Sequence, residues 1–378
     1  MKRIIFSIIL LFPAIFFSQN VEVYDYKVPV STATTFRANG FWNWSQVGDS
    51  VSGNTASATL LYRKFYTSLP FAWFINIDGQ GGIDAGKKNY DVKFDGSARK
   101  YIWEKKDWFG FTRLRAERAT GYSRIATDFT MGAGYGRYIN ATALAKAVRI
   151  EEHLLNENII KDYLPKETMI AIANIIERQQ EYINTYGPGV YETQWFNDIE
   201  KEIQSTEVLK GYGVGSIGIL RMRQVLFGIN ERVNERYYGW DLSAGALFPI
   251  TTRDTTRAGS PNLAVTGRYS FPFTWSTQAN LVGEISTPID TVFVRQIRAD
   301  FGVDFLYELS NRINFVAGYR FVVFKPQIKT AYIDHLINVS FLYYVENNIY
   351  FGINAAYENY ARSPQRISTA VTLTYNLY

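Results

Sequence analysis

Apolar and polar side chains alternate along the C-terminal third of this chain, and that alternation constrains the fold more than any other feature of the sequence. In residues 349–358 one set of alternate positions holds Ile, Phe, Ile, Ala and Tyr, and the other holds Tyr, Gly, Asn, Ala and Glu. Side chains of a β-strand point alternately to opposite faces, so the segment predicts a strand with one apolar and one polar face.

Fourteen segments follow this pattern, which predicts an all-β, antiparallel sheet of about fourteen strands. The first six strands are expected near residues 34–46, 55–68, 71–79, 90–102, 109–119 and 122–138. The other eight are expected near 238–249, 262–273, 276–288, 291–309, 312–325, 335–346, 348–360 and 366–378. Short connections at 68–70, 273–275, 310–312 and 346–348 alternate with longer ones at 79–89, 250–261 and 326–334. An even strand number with short turns at one end is typical of a closed barrel that spans an outer membrane.

The N-terminus indicates a secreted chain. Lys2 and Arg3 precede an apolar run at residues 4–17, so residues 1–18 are predicted to be a signal peptide cleaved after Ser18; an uncleaved anchor is the alternative. No later run is long and apolar enough for a membrane helix, so a mature chain that enters a membrane must do so as a closed barrel. The aromatic content of 16% suits the aromatic girdles of such a barrel, and the absence of cysteine excludes disulfides.

A helical insert, residues 141–236, is expected between strands 6 and 7, with residues 19–33 forming an N-terminal periplasmic segment and residues 34–140 and 237–378 the two barrel portions. Apolar residues at helical spacing, including Ile172 and Ile176, predict a small bundle, to which a later helix adds Trp195. Residues 140–210 carry 12 acidic and 7 basic residues, so this part of the chain has a net charge of −5. The three named residues are candidates for binding a periplasmic partner, and packing within the bundle explains them equally well.

Charged residues at alternate strand positions predict a polar lumen. The lumen-facing candidates are Lys93, Asp95, Arg99, Arg113, Arg115, Glu117, Arg124, Asp128, Arg268, Glu284, Arg298, Asp300, Asp304, Glu308 and Arg320. Charges at membrane depth must face water or one another. One hypothesis is a pore whose arginines favour anions; the other is a sealed lumen held by arginine–carboxylate pairs.

No motif for catalysis, metal binding or nucleotide binding is present. The glycine clusters at 132–136 and 211–218 lack a phosphate-binding pattern, and His153 beside Glu151 and Glu152 lacks metal-ligand spacing. His335 lies five residues before Ser340, which places the two side chains on opposite strand faces. We therefore expect no enzyme, cofactor, metal or nucleic-acid partner, with a lipid hydrolase using His335 as a minor alternative.

The chain resembles the broad class of Gram-negative outer-membrane β-barrel proteins across residues 34–138 and 238–378, together with the signal. Its terminal aromatic, Tyr378, is similar to the residue that the barrel-assembly machinery reads in that class, although Leu377 and Tyr375, in the opposite phase, form the apolar face. The resemblance implies contact with outer-membrane lipid and recognition by the assembly machinery. It also implies that both termini and the insert lie in the periplasm.

The expected function is a channel, or an export or envelope-assembly component, whose insert docks a periplasmic partner or gates the lumen. A sealed structural barrel is the rival function, and a soluble secreted β-sandwich is the rival fold. Ion conductance distinguishes the channel from the sealed barrel. Recovery of the protein in a soluble fraction without detergent would identify the β-sandwich.

Overall fold

The computed structural model describes residues 19–84, 87–102, 106–254, 256, 259–291, 293–345, 349–361 and 363–375, so the expected signal peptide and Tyr378 lie outside the described residues. Six strands come first: β1 (Ser31–Val47), β2 (Ser50–Thr67), β3 (Phe71–Asp84), β4 (Lys87–Tyr101), β5 (Trp108–Ala119) and β6 (Ala126–Asn140). Five helices follow: α1 (Thr142–Asn156), α2 (Lys166–Glu177), α3 (Gln179–Tyr186), α4 (Tyr191–Gln204) and α5 (Gly215–Phe227). The remaining strands are β7 (Tyr237–Thr251), β8 (Asn262–Pro272), β9 (Thr277–Pro288), β10 (Ile297–Ser310), β11 (Ile313–Lys325), β12 (Tyr332–Tyr344), β13 (Ile349–Asn359) and β14 (Arg366–Tyr375).

All fourteen strands form one antiparallel sheet in sequence order. The prediction of fourteen antiparallel strands interrupted by helices is therefore confirmed. Within the described residues β1 and β14 do not pair with each other, so the described sheet is open between them, whereas the sequence predicted a closed barrel. Asn140 at the end of β6 lies opposite Tyr237 at the start of β7, which makes the helical insert an excursion from a single hairpin.

The two faces of the sheet differ in chemistry. Cross-strand register places Asp95, Arg113, Asp128 and Arg268 on one side, which is called the polar face below. The opposite, apolar face carries large side chains that remain uncovered. Trp42 is 72% exposed there, and Leu373 is 71% exposed. The alternation in the sequence thus folds into a sheet whose apolar side has no partner layer within the described part of the chain.

The main hydrophobic core lies in the insert and not in the sheet. Leu144, Met169, Ile172 and Ile199 from three helices are fully buried together. Pro165 precedes α2, where a missing backbone N–H is tolerated, and Gly228 ends α5 in the left-handed conformation (φ 69°) that glycine adopts without strain. Within the described residues no helix has the length and apolar character of a membrane span.

Two predicted connections differ from the structure. The glycine-rich stretch 79–89 was expected to be a long loop, but Gly79 and Gly81 pair with Val92 and Tyr90, so the strands extend much further. Ladder hydrogen bonds there override the turn preference of glycine. The connection between β9 and β10 is longer than predicted, because β10 begins at Ile297, six residues later than expected.

Candidate functional site

Fourteen of the fifteen predicted lumen charges lie in strands on the polar face, as the pairing register shows. Arg124 is the exception. It lies in the loop between β5 and β6, where its backbone N–H donates to the carbonyl of Arg253, because β6 begins only at Ala126. The interpretation of Arg124 as a lumen-facing strand residue is therefore corrected.

The charges on the polar face form ion pairs between neighbouring strands. Arg113 donates from Nε to Asp95 Oδ1 at 3.0 Å, and Arg115 Nε lies 2.9 Å from Asp128 Oδ1. Arg320 binds Asp300 through two hydrogen bonds of 2.6 and 2.5 Å. The arginines are thus neutralised locally by carboxylates, and a planar guanidinium binds a carboxylate most strongly in this two-bond geometry.

Asp241 is the buried centre of one such group, and the sequence pattern did not identify it. Its carboxylate lies 3.2 Å from Arg99 Nη2 and accepts two bonds from Arg268, one of them 2.9 Å from Nε to Oδ1. Arg99 belongs to β4 and Asp241 to β7, so the polar face curves enough to bring strands three positions apart into contact. Alternation in β7 could have identified it, since Asp241 lies on the same strand face as Ser243 and Gly245.

Glycines on β6 make room for aromatic rings on the same face. A Cβ atom at Gly134 would lie 2.4 Å from Cζ of Phe109, and one at Gly132 would lie 2.6 Å from Cζ of Phe111. Phe109 is fully buried, and the guanidinium of Arg99 stacks over its ring at 4.1 Å. The first glycine cluster therefore permits close packing across the polar face.

The insert is attached to the sheet by a junction cluster that comprises Arg149, Glu231, Asn234, Arg236 and Glu308. Glu308 on β10 accepts from Arg149 Nη2 at 2.7 Å through Oε2. Its Oε1 accepts from Asn234 Nδ2 at 2.8 Å and lies 2.8 Å from Arg236 Nη2. Burial lowers the pKa of Arg236, and the nearby Glu308 carboxylate opposes that shift. Glu308 was predicted to face the lumen, but its partners in the insert could not be inferred from sequence.

His153 belongs to the same region. Its Nε2 lies 2.8 Å from Glu231 Oε1, and Arg149 Nη1 lies 3.5 Å from the other oxygen of Glu231. The other histidine, His335, hydrogen-bonds through Nδ1 to the hydroxyl of Tyr319 at 2.8 Å. Within the described residues no group of three or more His, Cys, Asp or Glu side chains is arranged to hold a metal ion.

Burial along the polar face changes with distance from the insert. Gln278 and Asn314, at the end next to the insert, are buried, as is Glu308. Farther along the same face the side chains of Arg298 and Arg320 are each 58% exposed. The polar face is consequently covered at one end and open to water at the other.

The N-terminal segment fastens the insert to the sheet. Val21, Val23 and Tyr26 are buried in the core of the insert. The indole N–H of Trp275, between β8 and β9, donates to the carbonyl of Val21 at 3.3 Å, and the Tyr238 hydroxyl donates to the carbonyl of Tyr26. Residues 19–30 therefore lie at the same end of the sheet as the helices.

The three partner-binding candidates do not form a surface. Ile172, Ile176 and Trp195 are all buried, and Trp195 Nε1 donates to the carbonyl of Ile175 at 2.9 Å. Their interpretation as docking residues is therefore wrong, because the amphipathic stripe packs against neighbouring helices. The exposed apolar residues of the insert are others, including Tyr212 and Leu220.

Glu151 in α1 is a buried carboxyl of the insert. One of its oxygens accepts the backbone N–H of Leu164 at 2.7 Å, and the other has no hydrogen-bond partner within the described residues. Burial raises its pKa to about 7, with the Leu164 hydrogen bond opposing the shift and Glu152 adding to it. The ionised form is thus disfavoured in the folded insert.

Neither the family models nor the curated proteins searched gave a match to this chain. Its function is accordingly inferred from the paired polar face and from the insert that covers one end of it.

Proposed function

We propose that this protein is an outer-membrane β-barrel whose lumen is lined by the polar face and closed at its periplasmic end by the insert, so that it works as a gated channel of the cell envelope. One observation carries the proposal. The sheet exposes its apolar side chains while it pairs charges on the other face, and the main apolar core lies in the insert. This polarity is the reverse of that of a sheet packed in a water-soluble domain.

Lipid is the environment that suits such a sheet. Large contiguous apolar surfaces on soluble proteins mark contacts with partners or membranes, and here the apolar surface follows all the strands. A sheet edge in lipid leaves backbone groups without hydrogen bonds, at several kcal/mol each. We therefore propose that β1 and β14 pair in the membrane. The insert supports this closure, since it contacts β1 through Glu181, which accepts the backbone N–H of Thr32 at 2.8 Å, and β10 through Arg149.

Strand parity supports the proposed orientation. The insert, the N-terminal segment and the turns β2–β3, β8–β9 and β10–β11 share one end of the antiparallel sheet. Outer-membrane barrels keep their short turns and termini in the periplasm. In this arrangement the insert closes the periplasmic mouth, and a periplasmic protein that binds the insert would control the opening. Outer-membrane lipid and the barrel-assembly machinery are its other partners.

Ion conductance in planar lipid bilayers tests the proposal. The intact protein is compared with a variant in which residues 141–236 are replaced by a two-residue turn, a change that the structure permits because Asn140 and Tyr237 already pair. Brief or small openings in the intact protein and a stable, larger conductance in the deletion variant are expected. Both proteins must first be shown to be folded and inserted.

A sealed structural or assembly barrel is the second candidate, and the extensive ion pairing of the polar face favours it. Absence of conductance in both folded, inserted proteins would establish that alternative and overturn the channel. Recovery of the protein in a soluble fraction without detergent would overturn the membrane assignment itself.

A further inference from the structure

The arginines expected to attract anions are each already in contact with a carboxylate. Each of the six arginine candidates on the polar face lies within 4.0 Å of a carboxylate; these are Arg99, Arg113, Arg115, Arg268, Arg298 and Arg320. Arg298 and Arg320 share one partner, Asp300, whose Oδ2 lies 3.8 and 2.5 Å from their respective Nη2 atoms. A permeating anion would have to compete with these carboxylates for each arginine.

Two of the seven predicted lumen carboxylates lack a cation. Within the described residues Asp304 on β10 and Glu284 on β9 form no ion pair, and both side chains are exposed to water. They line the same cavity, of about 630 Å³, as Asp300, Arg298 and Arg320. Three carboxylates against two arginines give the wall of this cavity a net formal charge of −1.

The surroundings of Asp304 leave space along the strands. Register places Asp304 in one cross-strand row with Gly318, Asn338, Ala356 and Ser368, all of them small or neutral. A Cβ atom at Gly318 would lie 2.7 Å from Asp304 Oδ1, so the glycine is what leaves this carboxylate uncovered. A second cavity of about 330 Å³ continues from Asp304 toward β14. By contrast, the polar face of β4–β8 is filled by paired charges and the buried ring of Phe109.

We infer that the permeation path runs along the β9–β14 wall and selects small cations, with Asp304 as the main selecting residue and Glu284 as a second. The inference rests on the proposed channel function. It reverses the anion preference expected from the arginine-rich sequence. An unpaired carboxylate acts on a passing ion more strongly than an arginine whose charge is held in a pair with a carboxylate.

The test is the reversal potential of the conducting protein across a KCl gradient, which gives PK/PCl. A unit charge about 7 Å from the ion path changes the local concentration of each ion by up to roughly threefold in water, and salt reduces this effect. Since K⁺ and Cl⁻ respond in opposite directions, Asp304→Asn should lower PK/PCl by about twofold to sevenfold. Asp49→Asn removes the same charge in the exposed β1–β2 turn, outside the two cavities that Asp304 lines, and should leave the ratio unchanged.

The outcomes separate this inference from the proposed function. A PK/PCl above 1 that falls in Asp304→Asn, and less strongly in Glu284→Gln, supports it. A conducting protein that prefers Cl⁻, or whose ratio is the same in Asp304→Asn and Asp49→Asn, overturns the inference and leaves the channel intact. Absence of conductance in both the intact and the deletion protein overturns the channel and this inference together.

Discussion

Exchange of Glu308 for glutamine removes the carboxylate that holds the insert to the sheet through two arginines. The Glu308 side chain is 2% exposed and that of Arg236 is fully buried, so water cannot solvate the Arg236 guanidinium once its carboxylate partner is lost. Arg149 retains Glu152 at 3.1 Å, whereas Glu308 is the one carboxylate in contact with Arg236 within the described residues. Loss of one partner of a buried ion pair costs about 3–5 kcal/mol.

That cost favours release of the insert from the polar face. At about 1.4 kcal/mol per factor of ten, the loss shifts the equilibrium toward the released state by roughly two to three and a half orders of magnitude. We expect Glu308→Gln to increase open time in bilayers and to increase protease cleavage of the insert. The sheet should keep its resistance to cleavage, since its ladder hydrogen bonds are unchanged.

A matched control comes from an exposed pair on the same face. Asp95→Asn also removes a carboxylate that binds an arginine, but Arg113 is 48% exposed and neither residue contacts the insert. Such pairs contribute about 0–1 kcal/mol. If Glu308→Gln and Asp95→Asn show equal open times and equal cleavage of the insert, the junction cluster does not hold the insert closed and the gating argument is refuted.

Three further outcomes are expected. Because the pKa of Glu151 is raised from 4.5 to about 7, the folded insert binds this proton more tightly than the unfolded chain does. The stability of the insert should therefore fall as the pH rises from about 4.5 to above 7. Glu151→Gln should stabilise the insert by up to about 3 kcal/mol at pH 8 but not at pH 4, as measured by unfolding followed at 222 nm. Gly134→Ala should destabilise the sheet by about 1–3 kcal/mol through its clash with Phe109, while Gly110→Ala, whose nearest contact would be 3.9 Å away, should have little effect in the same denaturant titration. Paired cysteines stepped along β1 and β14 should form a disulfide in lipid vesicles at one register, which the cysteine-free background makes unambiguous; no cross-link at any register would contradict closure.

The strands and the composition of their faces could be predicted from sequence because both depend on local periodicity. Alternation identified the polar-face positions of Lys93, Asp95 and Arg99 without any knowledge of their neighbours. It failed at Arg124, because β6 begins at Ala126 and not at residue 122, so that Arg124 lies in the preceding loop. It also failed at residues 79–89, where glycines that favour turns in isolation are held in a ladder by their partners.

The candidate site depended on contacts that no local pattern encodes. Arg149 lies 159 residues before Glu308 in the chain, and Arg99 lies 142 residues before Asp241. The amphipathic stripe of Ile172 and Ile176 indicated that these side chains needed an apolar partner, but the same stripe suits a neighbouring helix or another protein. Only packing of the helices decided between the two.

The sequence by itself determined that this chain forms fourteen antiparallel strands with one apolar and one polar face and a helical insert after the sixth strand. That information is carried by side-chain spacing, which acts within a few residues. The tertiary structure decided which charges neutralise each other, that Asp304 remains free, and that the insert covers one end of the polar face. Those outcomes depend on distances between strands and helices far apart in the chain, and electrostatic interaction falls with distance in space regardless of separation in sequence.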